Sequence, residues 1–446
     1  MLHWLGPLLS GLLLLTSAPA LRAQDDPDPV VMAEILKIRA IDNHAHPVKV
    51  VAAGEKPDEE YDALPADAMQ PFDLPTRIRP DNPLYITAWR ELYGYPYHDM
   101  SPAHLKNVMA RKQRTAREKG DSYPAWVLDR LGIETMIANR VGLGRGLTAP
   151  RFRWVAFDDA LLFPLDNGAA KRRNSEYGSM YASEERLLKR YLREAGLSTL
   201  PETLDGYLTK VISATLERQR KAGAIAIKFE AAYLRGLDFA MAPEADARRV
   251  YERYIRGGEP AAADYKTMQD FLFHTIAREA GRLGLAVHFH TGAGVGAYFD
   301  LAGADPLKLE PVFDDPALRK TRFVLLHGGW PFEKSTGFLL SKPNVYADFS
   351  YQTFLFSPRQ LSQTLKSWLI LVPEKVLFAT DAATISPEVN WEEVGWLSNR
   401  TARRALALAL TDLMREGEIS RPRAIELARM VLRKNAIKLY GLKASK

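Results

Sequence analysis

The sequence predicts an α/β fold, a (β/α)8 barrel of the TIM type with helical insertions after strands one and three. Eight short runs rich in β-branched and aliphatic residues recur along the chain. Amphipathic helical stretches separate most of them, as in a parallel closed barrel. Ionisable residues gather at the C-terminal ends of the runs, where such barrels do their chemistry. An open doubly wound sheet is the rival, but no G-x-G-x-x-G opens a helix after a strand. The run Gly292-Ala293-Gly294-Val295-Gly296 reads instead as a flexible loop after a strand.

In chain order, the strands are expected at 40–44, 133–139, 152–157, 224–230, 285–290, 322–327, 344–349 and 375–381. Helical pattern fills 202–221, 262–282 and 358–371, and the chain beyond Trp391 is helical to its end. Two connections are too long for simple crossovers, about 47–130 and 160–222. The first holds helical pieces near 102–118 and 122–131, the second a charged one at 184–195. Insertions at the catalytic face form lids or substrate walls.

Residues 1–23 carry an apolar run from Trp4 to Leu15 and an A-x-A site at Ala18-Pro19-Ala20, the pattern of a secretory signal. A mature N-terminus after residue 20 or 23 is the checkable consequence, and 24–446 is the barrel domain. The chain has 446 residues and no cysteine, which excludes disulfides, thiolate metal sites and a cysteine nucleophile. An exported chain without disulfides is expected in the periplasm or secreted. Apolar residues make up 47%, enough for a core, so disorder is excluded. The net charge of +6 is spread along the chain, which argues against nucleic acid as a partner. No later segment is apolar and long enough to span a membrane.

Strand alternation locates the chemistry. Asp42, His44 and His46 share one face of the first strand. Lys228 and Glu230 share a face of the fourth, His288 and His290 of the fifth. His327 ends the sixth on the face of Phe323 and Leu325, and Asp381 ends the eighth with Leu377 and Ala379. Five of the nine histidines lie within two residues of a strand end. An H-x-H pair sets two imidazoles on one side of a strand, suited to one small cation. Nitrogen and carboxylate ligands suit Zn²⁺, and also Mn²⁺ or Fe²⁺.

The stretches IDNHAHPV (41–48), VHFHTGAG (287–294), LLHGGWPF (325–332), VYADFS (345–350), LFATDAA (377–383) and KNAIKLYGL (434–442) together resemble the amidohydrolase superfamily. Within it they are similar to the amidohydrolase-related branch and to nodulin/glutamine-synthetase-linked amidohydrolase domains. The resemblance implies a metal set of His44, His46, Lys228, His290, His327 and Asp381 around one or two divalent ions, with zinc the expected metal. Asp381 would take a proton from the bound water. His327 would bind a second metal or polarise the substrate carbonyl. Lys228 sits where some members carry a carbamylated lysine, and Glu230 could bridge instead.

Other roles are weighed residue by residue. Lys228 could stay unmodified and bind a substrate carboxylate. Arg140, Tyr233 and Arg235 could form an anion pocket, or structural salt bridges at the rim. Asp42 and Asp348 could support the ligand histidines from behind. His288 is expected one layer below the site, His274 in the structure of a helix, and His98 and His104 at the surface. The function implied is metal-dependent hydrolysis of a small amide or peptide-like C–N bond. A metal-dependent decarboxylase is the alternative, and a non-catalytic barrel the third reading. The partner expected is a small molecule, which could carry a carboxylate; a homo-oligomer is compatible with the sequence.

Overall fold

A computed structural model describes residues 26–52, 54–64 and 69–443. The expected signal segment lies outside the described residues. Eight strands run parallel and neighbour one another in chain order: β1 (Ala40–Ala45), β2 (Ile133–Asn139), β3 (Phe152–Phe157), β4 (Ala224–Phe229), β5 (Ala286–His290), β6 (Phe323–Leu326), β7 (Val345–Asp348) and β8 (Val376–Leu377). Three backbone bonds join the ends of the sheet. Asn43 N–H donates to Phe378 O at 2.9 Å, Asp381 N–H to His44 O at 2.8 Å, and His46 N–H to Ala382 O at 2.8 Å. The result is a (β/α)8 barrel.

Side chains from all eight strands meet inside, with Ile41, Ile137, Val155, Ile225, Ala286, Val324 and Leu377 buried together and Tyr346 against them. The C-terminal helix Asn435–Tyr440 adds Ala436 and Leu439 to that cluster. The Tyr440 hydroxyl donates to Asn43 Oδ1 at 2.6 Å and lies 2.7 Å from His288 Nε2. This plug fills one end of the barrel and fixes His288 one layer below the mouth. The outward residues Ile227, Phe229, Val287, Phe289, Phe323 and Leu325 pack on surrounding helices.

That division corrects the face assignment in β6. Val324 and Leu326 point inward, and Phe323 and Leu325 outward. By strict alternation His327 would also point outward. It reaches the interior because its backbone takes φ 65°, which breaks the two-residue period. β8 is likewise short, two residues against the seven expected, because the chain beyond Leu377 turns toward β1.

The expected helices at 262–282 and 358–371 are observed as Ala262–Leu283 and Pro358–Leu371. The charged helix begins earlier than its charge pattern suggested, at Tyr177–Glu194, because Tyr177, Met180, Tyr181 and Glu184 continue its buried stripe. The segment between β1 and β2 holds helices Leu84–Tyr93, Pro102–Lys119 and Tyr123–Leu131. Their Trp89, Val108 and Val127 pack with Trp391 and Trp396 of the long helix Trp391–Arg415, so this insertion has its own core.

Candidate metal centre

His44 and His46 end β1, and Asp381 follows β8 on the adjoining side of the ring. His44 Nε2 lies 3.1 Å from Asp381 Oδ1, and His46 Nε2 lies 3.8 Å from the same oxygen. One ligand atom from each of the three residues lies within 4.8 Å of the others. Neither ring nitrogen of buried His44 has a hydrogen-bond partner. Buried polar atoms are almost always paired. Two such nitrogens beside a carboxylate suit the binding of a cation. Burial pulls His44 and His327 well below the ordinary imidazole range. It pulls His46 down to about 4 and His290 to about 3, with Lys228 adding to the shift at both. All four rings are therefore neutral at pH 7, the form that binds a metal.

Hydrogen bonds fix the tautomers of the other two histidines. Asp348 Oδ1 accepts from His327 N–H at 2.9 Å, from Ser350 N–H at 3.1 Å and from the Ser350 hydroxyl at 2.6 Å. With its proton committed there, Ser350 Oγ must accept from His327 Nδ1–H at 2.9 Å. His327 Nε2 then accepts from His290 Nδ1–H at 3.0 Å. The chain ends at His290 Nε2, a buried lone pair with no partner. His290 thus offers a fourth ligand atom. Both His327 nitrogens are engaged in this arrangement, Nδ1 with Ser350 Oγ and Nε2 with His290 Nδ1, so the ring braces His290 from behind. Asp42 plays a similar part in β1, accepting from Thr380 N–H at 2.9 Å and Thr380 Oγ1 at 2.5 Å.

Lys228 reaches the same floor, but as an ammonium bound to Glu230 Oε1 at 2.9 Å. Burial lowers its affinity for a proton, and Glu230 and Asp62 more than reverse this, so it stays charged. An ammonium has three donors and no lone pair, so in this state Lys228 is no metal ligand. Burial raises Glu230 to about 7 and Asp62 to about 6. Behind Glu230 lie Asp158, Asp159 and Glu184. Burial raises Asp158 to about 7 and puts Asp159 and Glu184 well above the carboxylate range.

Both carboxyl oxygens of Glu184 lack partners. Because folding raises its pKa, the folded state holds the Glu184 proton more tightly than the unfolded chain does. Its contribution to stability is therefore lost as pH rises above the unfolded value of about 4.3. Glu184→Gln should melt at a higher temperature than the parent at pH 8, with the gain shrinking at pH 5. A difference in Tm that does not change with pH would refute this.

Two of the three residues considered for an anion pocket are elsewhere. Arg140, with no exposed surface, binds Asp58 through two nitrogens at 2.8 and 3.0 Å, and also Pro47 O and Gly142 O. Arg235 binds Asp270 Oδ1 at 2.7 Å and lies over the Phe239 ring, lining a different cavity. Both guanidinium groups are bound to protein acceptors, and neither lines the cavity that holds His44, His46 and Asp381. Tyr233 does line the metal-site cavity, its ring centroid 4.6 Å from that of His290 and its hydroxyl accepting from Val295 N–H.

The cavity over this floor has a volume of about 170 Å³. Sequence reasoning missed much of its wall: Tyr61, Asp62, Leu64 and Phe72 of the first insertion, and Tyr351 and Phe354 after β7. No periodic signal marks the insertion segment, and its contribution depends on how it folds back. Asp62 Oδ2 lies 3.4 Å from His46 Nδ1, which also meets Tyr61 O at 3.2 Å. Among the described residues, the non-glycine residues with positive φ are His327, Tyr351 and Asp381, at 65°, 61° and 53°. All three line this cavity. Strained backbone of this kind concentrates at functional sites.

A family model described as Amidohydrolase matches residues 194–442, from before β4 through the C-terminal plug. The chain belongs to the amidohydrolase family. It is a metal-dependent enzyme of that superfamily, and the match begins after the H-x-H of β1. Protein fluG of Emericella nidulans is 26% identical over 222 residues, 47% of this chain. The match covers 25% of fluG, so it spans about a quarter of that relative's length. Among solved structures, a Lactobacillus casei protein named as a metal-dependent hydrolase superposes with a TM-score of 0.58 at 16% identity, covering 93% of this chain and 98% of its own. Glucuronate isomerase of Caulobacter crescentus gives 0.59 at 14% identity, covering 96% of each chain. At these identities the two structures share the fold, and they carry different reactions.

Proposed function

We propose that this amidohydrolase is a hydrolase that cleaves a small amide or peptide-like C–N bond. The observation that carries the reading is the convergence of His44 Nε2, His46 Nε2 and Asp381 Oδ1 on the cavity floor, with two unpaired nitrogens on His44. His44, His46, Asp381 and His290 would hold one divalent ion, zinc being the expected one. Such an ion supplies Lewis acidity and lowers the pKa of water from 15.7 to about 7.

The protein's own groups do the rest. Asp381 Oδ1 faces His44 and His46, whereas Oδ2 lies 3.6 Å from His327 Nδ1. The second oxygen can take a proton from the attacking water and return it to the leaving amine. Ser350 and Asp348 hold His327, and His327 holds His290. The Lys228–Glu230 pair disfavours carbamylation of Lys228, which needs a neutral amine.

The test uses the full chain, freed of metal and reloaded with zinc, manganese or iron. Neutral N-acyl amides and dipeptides are offered beside aromatic carboxylates and sugar acids, and products are identified by mass. Amine and acid released in equal amounts are expected. Release of CO₂ without amine would make the protein a decarboxylase, and interconversion of sugar-acid isomers without bond cleavage would make it an isomerase. Either result would overturn the proposal.

A further inference from the structure

We propose that the cavity above the ligand cluster selects a neutral substrate with one apolar arm, about the size of an aromatic ring, and disfavours an arm that ends in a carboxylate. This specifies the substrate class of the hydrolase reading and rests on that reading for the bond that breaks. The binding preference itself is independent of it.

Size is the first argument. A cavity of about 170 Å³ is on the scale of the roughly 150 Å³ apolar cavity that admits benzene. The second argument is the chemistry of the wall. Leu64, Phe72, Ile78, Phe354, Ile385 and Val394 surround the space. They come from the first insertion, the loop after β7, the loop after Asp381 and the helix Trp391–Arg415. Such a surface rewards apolar contact.

Charge is the third argument. Among the described lining residues there is no arginine, asparagine or glutamine, and the one lysine is Lys228, already held by Glu230. Asp62, Glu230 and Asp381 share the floor with it. A carboxylate on the arm would leave water, find no free counter-charge, and sit against apolar walls. Arg140 and Arg235, which the sequence offered as either an anion pocket or rim salt bridges, are each bound to an aspartate outside this cavity. The expectation of a substrate carboxylate loses its support with them.

The test is calorimetric titration of the zinc-loaded full chain with acetamide, phenylacetamide, 4-methylphenylacetamide and 4-carboxyphenylacetamide. Phenylacetamide should bind at least about tenfold more tightly than acetamide, as burial of a ring requires. The 4-carboxy compound should bind at least about tenfold more weakly than its 4-methyl counterpart. Phe72 is half-buried on the wall and is not one of the proposed ligands, and Phe72→Arg should reverse the second preference by supplying a cation. Equal binding of acetamide and phenylacetamide would overturn the proposal. So would a 4-carboxy compound that binds as well as the 4-methyl one, or a Phe72→Arg protein whose preference is unchanged. The hydrolase reading fails separately: the binding order can hold while no amine is released, and amine can be released with no such order.

Discussion

Asp381→Asn should lower turnover by about three orders of magnitude and leave the fold intact. The expectation has two parts. Asparagine matches aspartate in shape and tolerates the left-handed backbone at φ 53°, so the chain beyond β8 keeps its path. The bond from its backbone N–H to His44 O, which helps close the barrel, is also kept. What is lost is a negative ligand atom and the oxygen that takes and returns the proton, a contribution worth about 10²–10⁴ in rate. The measurements are kcat on an amide substrate, metal content by elemental analysis, and Tm. An Asp381→Asn protein with full metal content and full turnover would remove Asp381 from the chemistry. A protein that fails to fold would be distinguished by its melting curve, and Asp381→Glu then supplies a second test, since it keeps the charge and displaces it by one methylene.

Arg140→Ala should cost stability, with an effect on substrate affinity no greater than the loss of folded protein explains. The Arg140–Asp58 pair is buried on both sides, with side-chain exposures of 0% and 1%. Removing one member leaves an uncompensated buried charge, at a cost of about 3–5 kcal/mol. The pair also organises the first insertion. Asp58 accepts from Lys49 N–H at 2.9 Å and Glu60 N–H at 3.1 Å, which sets the segment that carries Tyr61 and Asp62 to the cavity. A large drop in Tm is expected for Arg140→Ala, partly recovered when Asp58→Ala is added, because the stranded carboxylate is then gone. A stable Arg140→Ala protein with KM raised tenfold or more for an anionic substrate would return this residue to an anion pocket.

The strands were legible because each is a short apolar run and helices separate most of them, and the parallel order follows from that alternation. His44 and His46 were legible as a pair because H-x-H on a strand needs only the two-residue period. His290 and Asp381 were legible as strand-end residues of matching type. His327 was found for an incomplete reason: its position near a strand end was correct, but Phe323 and Leu325 do not share its face, and a positive φ brings the ring inside. Asp62, Leu64 and Phe72 were invisible, since they lie in a segment with no period, brought over the mouth by contacts with distant residues. The helix Tyr177–Glu194 was legible only in its charged half, because its N-terminal turns look polar until Tyr177, Met180 and Tyr181 are seen to share the buried face.

The sequence alone determined the barrel, the family and the set of imidazoles and carboxylates at the strand ends, because these follow from local periods and residue type. Tertiary structure decided which of those groups are free to act. Arg140 and Arg235 have long side chains whose charges go to whichever carboxylate the fold places within reach, and the fold places Asp58 and Asp270 there. What the nitrogens of His327 and His290 touch is settled by Ser350 and Asp348, at the end of the neighbouring strand β7. Partner and exposure are properties of neighbours in space, and these partners, 23 to 82 residues apart in the chain, meet only when it folds.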